Sequence, residues 1–315
     1  MRRYAGFRPA ALLPLLISAL FCGAAESGIV SEDENSLKFR QNDGTEVLLP
    51  KRPGSTVICY SSLVQVWYAA GGTAVAIPAV PTRDTLPEAA RGLPQLGTHN
   101  TMSAEKIMMH RPDLVLLNDK LPGHRQLRRT LAELNIPAAC IDYRNYRDFR
   151  EIFELFRRLN GSGSGADADA ITGKADALCA QARQLPSPAF ASIYIGVGIR
   201  AETDRANAAC MAALLGGRNI VPPGRSSRGP FSYEQLLLRD PDVIFLVTTG
   251  NVAGAREVFR KEFEARPEWK SLRAVKNNRV HFLPPELFLY LPGSRFPEAF
   301  RHLAKLLYPD QEFIE

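Results

Sequence analysis

Short apolar runs alternate with amphipathic stretches along almost the whole chain. Residues 36–40 and 45–49 flank Asn42-Asp43-Gly44, a hairpin signal in which the glycine is free to take a positive φ. The apolar, β-branched run 56–60 predicts the first core strand. Residues 64–71 read as helix and 74–77 as a second strand. Strands are predicted at 114–117 and 138–141, with an amphipathic helix between them over 126–134. A helix over 149–159 ends at Gly161-Ser-Gly-Ser-Gly165, a flexible break. Residues 166–185 then predict one helix of about 20 residues, roughly 30 Å long, which Pro186 and Pro188 terminate. The pattern restarts at 192–196, continues through a helix over 207–215, and finishes with a strand at 280–283 and a terminal helix over 296–307. Residues 26–35 are polar and predict a loose arm. Strand and helix alternate throughout, so the sheets are expected to be mostly parallel and covered on both faces.

Two of these stretches share one frame. Ser103-Ala-Glu105 leads to Pro112-Asp113 and a hydrophobic run, and Ser232-Tyr-Glu234 leads to Pro241-Asp242 and another, 129 residues later. In each copy serine caps a short helix, glutamate sits in its positive first turn, and proline ends the turn before a buried strand. A repeated helix-strand unit implies two similar lobes, each with one carboxylate at an equivalent surface position. The parse that follows is a leader at 1–25, an arm and hairpin at 26–50, a first α/β lobe at 51–160, a linker helix at 161–188 and a second α/β lobe at 189–315.

Composition adds an address to this picture. Arg2, Arg3 and Arg8 precede the apolar run Ala10 to Phe21 and then small residues, the layout of a secretory signal, and the run is too short to span a bilayer permanently. Cleavage after Gly23-Ala24-Ala25 would give a soluble exported chain; Cys22 followed by Gly23 would instead be a lipid-modified anchor. Three of the 39 basic residues lie in this leader, leaving 36 against 33 acidic, a net +3. That is too mild to imply binding to nucleic acid or to a membrane surface. The remaining cysteines, Cys59, Cys140, Cys179 and Cys210, form no Cys-x-x-Cys pair, so neither a zinc nor a redox motif is present. Buried free thiols are the expected reading.

The order and spacing of these features resemble the substrate-binding proteins of bacterial ABC importers for iron-siderophore complexes, cobalamin and haem. The resemblance runs over residues 36–309. It is carried by Asp43 to Val47, Pro53, Ala69-Ala70-Gly71-Gly72, Leu96-Gly97, the two glutamate repeats, Leu215 to Asn219, Trp269 to Val275, Asn278-Arg279-Val280 and Tyr308-Pro309. It implies an α/β fold of two Rossmann-like lobes with mostly parallel sheets joined by one long α-helix. It further implies a monomeric, non-enzymatic receptor that is periplasmic, or anchored to the cell membrane if Cys22 is lipidated. Such a receptor hands a metal chelate to an ABC permease in the inner membrane. Glu105 and Glu234 match the family's permease-docking positions.

In that family the ligand lies between the lobes, at loops on the carboxyl ends of strands. The matching loops offer Tyr60, Ser61, Arg83, His99 and Lys120 from the first lobe, and Arg228, Thr249, Tyr290 and Arg295 from the second. Basic groups there suit an anionic chelate, so a ferric siderophore ranks first, then haem, then cobalamin. His99 reads as a polar contact in the cleft, and Tyr290 as a phenol within reach of a haem iron. No resident cofactor and no protein metal site are expected, the iron or cobalt belonging to the cargo. Other classes fit less well. A sensor or surface receptor without transport is the alternative within the fold. Gly196-Val-Gly198-Ile-Arg-Ala201 formally matches a dinucleotide fingerprint, but the acidic residue needed about 20 positions on is missing, which argues against an NAD-dependent oxidoreductase.

Overall fold

A computed structural model describes residues 28–80, 83–98, 101–161, 168–248, 252–289 and 291–313. The leader, Cys22 included, lies outside the described residues. An N-terminal antiparallel sheet comprises β1 (Gly28–Glu32), β2 (Ser36–Arg40) and β3 (Glu46–Pro50). Gly44 takes φ +80° in the β2–β3 turn, as the Asn-Asp-Gly signal requires. The predicted loose arm is corrected by β1, which pairs antiparallel with β2. Its residues are almost all exposed, so no alternating apolar pattern marks it; backbone pairing and the Glu32 to Lys51 ion pair (2.7 Å) hold it in place.

The first lobe contains β4 (Thr56–Ile58), α1 (Ser61–Ala69), α2 (Ala104–Met108), β5 (Leu114–Asn118), α3 (Pro122–Glu133), β6 (Ala138–Ile141) and α4 (Tyr146–Leu159). Its strands run parallel in the order β4-β5-β6. The strand expected at 74–77 is reduced to two single bridges, Val57 to Ala76 and Ile77 to Gln95, because the chain there crosses the sheet edge and makes too few consecutive pairs. α5 (Ala168–Ala182) links this lobe to the second. There β7 (Ala189–Gly196), β8 (Gly198–Glu202), α6 (Asn207–Leu214), β9 (Arg218–Asn219), β10 (Arg228–Pro230), α7 (Tyr233–Arg239), β11 (Val243–Thr248), α8 (Val252–Phe259), α9 (Arg273–Lys276), β12 (Val280–Phe282), α10 (Pro285–Phe288) and α11 (Phe296–Leu307) follow. β9, β7, β11 and β12 are parallel, while β8 and β10 extend the sheet antiparallel.

The two sheets share an order, β6-β5-β4-Ala76 against β12-β11-β7-β9. The repeat holds in detail. Ser103 and Ser232 cap α2 and α7, accepting from the backbone N–H groups of Lys106 and Gln235. Arg111 and Asp240, equivalent residues just before the prolines, both take positive φ (47° and 39°). Asp113 accepts from the N–H groups of Gly54 and Ser55, and Asp242 from that of Ala189 at 2.7 Å, so each Pro-Asp carboxylate clamps the start of the neighbouring parallel strand. Removing Asp242 strands the buried Ala189 donor. Asp242→Ala is therefore expected to lower stability by about 1–3 kcal/mol in urea titration, and a loss below about 0.5 kcal/mol would show that the clamp is decorative.

One apolar cluster runs from the first lobe through α4 and α5 into α6 and α11. Its centre is aromatic: Tyr146 meets Phe296 and Phe300 at centroid distances of 5.0 and 4.7 Å, and Phe149 meets Phe296 at 5.0 Å. Each lobe keeps a separate cluster on the far face of its sheet. The linker helix is thus packed along its length against α4 and α11.

Candidate functional site between the sheets

Parallel strands in each lobe end at one edge, and the two edges are tied together at one end. The segment after β12 runs into Pro292-Gly293, where Gly293 takes φ +57° and lies so close to α1 that a Cβ would stand 3.0 Å from Gln65. Asn145, just past β6, donates to the carbonyl of Arg205, just past β8, at 3.1 Å. These contacts bring the carboxyl ends of β4 and β6 up to loops of the second lobe.

On the first lobe, Tyr60 precedes α1 and is largely buried. Burial pushes its phenol pKa up, with a hydrogen bond to Ser62 opposing. Ser61 is exposed. Lys120 follows β5 and reaches Asp142, which follows β6, at 3.7 Å; Arg144 reaches the same carboxylate at 3.3 Å. Burial raises the pKa of Asp142, and those two cations oppose the rise. A groove of about 620 Å³ beside this edge is lined by Asp142, Arg144, Arg147 and Arg205, among others. A second groove of about 560 Å³ lies between α5 and α11, away from both sheet edges.

The second lobe departs from the repeat where β7 folds back into β8. Gly196-Val197-Gly198 is the tip of that hairpin, with Gly196 opposite Gly198 in register, so the formal dinucleotide match is a strand-to-strand turn. Alternation places Ser192 and Tyr194 on one face of β7, and Glu202 and Arg228 stand beside them on β8 and β10, Glu202 directly opposite Arg228. Glu202 is 1 % exposed. It accepts from the Ser192 hydroxyl at 2.8 Å and from Arg228 Nε at 3.0 Å. The Arg228 guanidinium lies 3.6 Å from the centroid of the Tyr194 ring. That ring leans over Gly196, where a Cβ would stand 2.3 Å from the hydroxyl, so only glycine leaves room.

A buried carboxylate is costly unless paired and hydrogen-bonded, and replacing such a pair by apolar side chains is often neutral. What Glu202 contributes is orientation. It occupies Nε and Tyr194 covers one face of the guanidinium, which leaves the two terminal amino groups, the edge that matches a carboxylate in pairs. Arg200, opposite Tyr194 on the same face, is exposed and has no ion pair among the described residues.

The other described cations read from the sequence are exposed but already partnered within the chain. Arg83 donates to the carbonyl of Arg91, and Arg295 is held by both oxygens of Glu298 at 2.8 Å. Lys120 has Asp142. His99, Thr249 and Tyr290 lie outside the described residues. Sequence reasoning missed Ser192, Tyr194, Glu202 and Asp142. The first three had a signal, polar residues at alternate positions of otherwise apolar strands.

Glu105 and Glu234 are both exposed, each in the first turn of its capped helix, and neither has an ion pair among the described residues. A hydrogen bond with Ser103 holds the Glu105 carboxyl below its ordinary pKa, so it stays charged at neutral pH. Among the described residues Cys59, Cys140, Cys179 and Cys210 are buried and form no disulfide; burial raises the thiol pKa of all four, that of Cys140 and Cys179 to about 12 and that of Cys210 to about 11, so none of these four is a thiolate at neutral pH. Among the described residues no group of three or more histidine, cysteine, aspartate or glutamate side chains could hold a metal ion, and no helix is long and apolar enough to cross a membrane.

Two lobes of like topology, a helix linking them and strand ends brought together at Asn145 and Arg205 define a two-lobed α/β fold of the binding-protein type. The chain belongs to the periplasmic binding protein family, whose family model matches residues 57–287. It is 24% identical over 275 residues to the ABC transporter substrate-binding lipoprotein YvrC of Bacillus subtilis, covering 84% of this chain and 83% of that one. The structure of Staphylococcus aureus IsdE complexed with heme superposes with a TM-score of 0.67 at 20% identity, over 81% of this chain and 98% of IsdE. Vibrio cholerae BtuF, a periplasmic vitamin B12 binding protein, superposes with a TM-score of 0.64 at 21% identity, over 83% of this chain and all of BtuF. The protein is accordingly a non-enzymatic, extracytoplasmic substrate-binding protein of the ABC import class.

Proposed function

We propose that the chain captures an anionic metal chelate between its lobes and passes it to an import permease that docks on Glu105 and Glu234. A ferric siderophore is the first choice of cargo, haem the second and cobalamin the third. The single observation that supports an anionic cargo is the oriented guanidinium of Arg228, backed by Glu202 and Ser192. Similarity to IsdE and BtuF supports the chelate class without choosing within it, since both are equally distant in sequence. The iron or cobalt arrives inside the cargo.

Paired ligands test the reading. Haem is compared with its dimethyl ester, and a ferric tris-catecholate trianion with a neutral ferric trihydroxamate. Trp67 is fully buried against Phe156 and Trp269 packs among Phe259 and Phe263, so binding is read from chelate absorbance or calorimetry rather than protein fluorescence. The anionic member of one pair is expected to bind about tenfold or more tightly than its neutral counterpart, the worth of one charge-assisted contact. Arg228→Met combined with Glu202→Gln, which removes both charges together, is expected to erase that preference. Equal affinity for charged and neutral members in the unaltered protein would sink the anionic assignment, and no binding by any member would sink the chelate class.

A further inference from the structure

Each docking helix carries a second exposed feature. Met109 is 80% exposed and Leu238 is 74% exposed, against the usual burial of such side chains. Both lie six residues after the capping serine, Ser103 and Ser232, so they occupy the same position of the repeat. Each is also four residues after the glutamate. The N–H of Met109 donates to the carbonyl of Glu105 at 3.1 Å, and Leu238 lies within α7 together with Glu234. Residues four apart share a helix face, so each lobe presents one carboxylate with one bare apolar side chain a turn below it. Lys106, the one cation on α2, donates to the Thr101 carbonyl.

Single exposed apolar residues need no explanation. Two at equivalent positions of a repeat 129 residues apart, each beside a carboxylate with no ion pair among the described residues, are a matched set. Neither side chain is required by the fold, since the buried contributions of these helices come from Ala104, Ile107 and Leu236. We infer that Met109 and Leu238 are apolar anchors of the permease-docking surface. Each is expected to enter an apolar pocket beside a basic residue, and the partner to present that pocket twice, as a two-fold symmetric membrane assembly does. The glutamates steer the approach and the anchors slow release. This inference rests on the docking role proposed for Glu105 and Glu234.

The test is binding of the purified exported chain to membrane vesicles prepared from cells that carry its own gene, at low and at high salt. Met109→Ser and Leu238→Ser are each expected to weaken binding about tenfold at both salt concentrations, the equivalent of exposing one large apolar side chain. Glu105→Ala with Glu234→Ala is expected instead to flatten the salt dependence. Melting temperatures should stay within a degree or two of the unaltered protein, since both anchors are exposed. A photo-reactive benzoylphenylalanine at 109 or at 238 should form an adduct with the same membrane polypeptide in both cases. If the glutamate variants lose binding and the serine variants do not, the anchors are refuted and docking stands. If neither set changes binding, or the unaltered chain does not bind, docking falls and the anchors with it. Adducts to two different polypeptides would refute the two-fold partner.

Discussion

Replacing Glu105 and Glu234 together with alanine is expected to abolish import while affinity for the bound chelate and the melting temperature stay unchanged. Both carboxylates are exposed and have no ion pair among the described residues, so the fold loses little with them, a helix-dipole contribution of a few tenths of a kcal/mol each and, at Glu105, an exposed hydrogen bond with Ser103. In the proposed docking the same charges would meet basic partners that become desolvated, where truncating one member of a pair costs about 2–5 kcal/mol. Each single variant should therefore lose at least about tenfold in uptake. The pair is far apart in sequence and should combine to roughly a hundredfold or more, because distant sites add. Uptake of labelled chelate by cells making only the variant, beside calorimetry on the purified protein, separates the two roles. Loss of chelate affinity in the double variant would place the glutamates in the binding site instead.

Phe300→Ala is the substitution with the largest expected effect on stability. Phe300 is fully buried, and its ring meets Tyr146 of α4 at 4.7 Å from α11, so it joins the two lobes behind the linker helix. Removing it leaves a cavity walled by Tyr146 and its neighbours, at a cost of about 3–5 kcal/mol. In a chain of this size that corresponds to a fall in melting temperature of about 10 °C. The same aromatic seam, with Tyr146 Oη placed 3.1 Å from Asp176 of α5, is expected to keep relative motion of the lobes small. A thermal melt checks the first claim, and small-angle scattering with and without chelate checks the second. A stability loss under about 1 kcal/mol would mean that the seam is not what joins the lobes.

Much of the architecture is legible in the sequence. Residues 138–141 and 296–307 were bounded to the residue, because a strand buried on both faces and a helix with a continuous apolar stripe each leave a strong periodic trace. The frame around Glu105 and Glu234 gave caps, helix direction and the following strand, all local matters of side-chain chemistry. Local pattern failed where a strand has no alternating apolar face or pairs through single bridges only. β1 is exposed and is ordered by β2, and the run 74–77 is broken by its position at a sheet edge.

The chain by itself determined which faces are apolar, where helices start, and that one helix-strand unit occurs twice, since these follow from spacing over a few residues. It could not determine which charges meet. Arg228 is 26 residues from Glu202, and only the register of β8 with β10 sets them opposite each other. Likewise Arg83 and Arg295 look like cargo contacts in the sequence, and only packing turns them onto their own backbone or onto Glu298. The exposure of Met109 and Leu238 is of the same kind, because an apolar letter in a helix records a tendency to be covered, while the tertiary structure decides whether anything within the chain covers it.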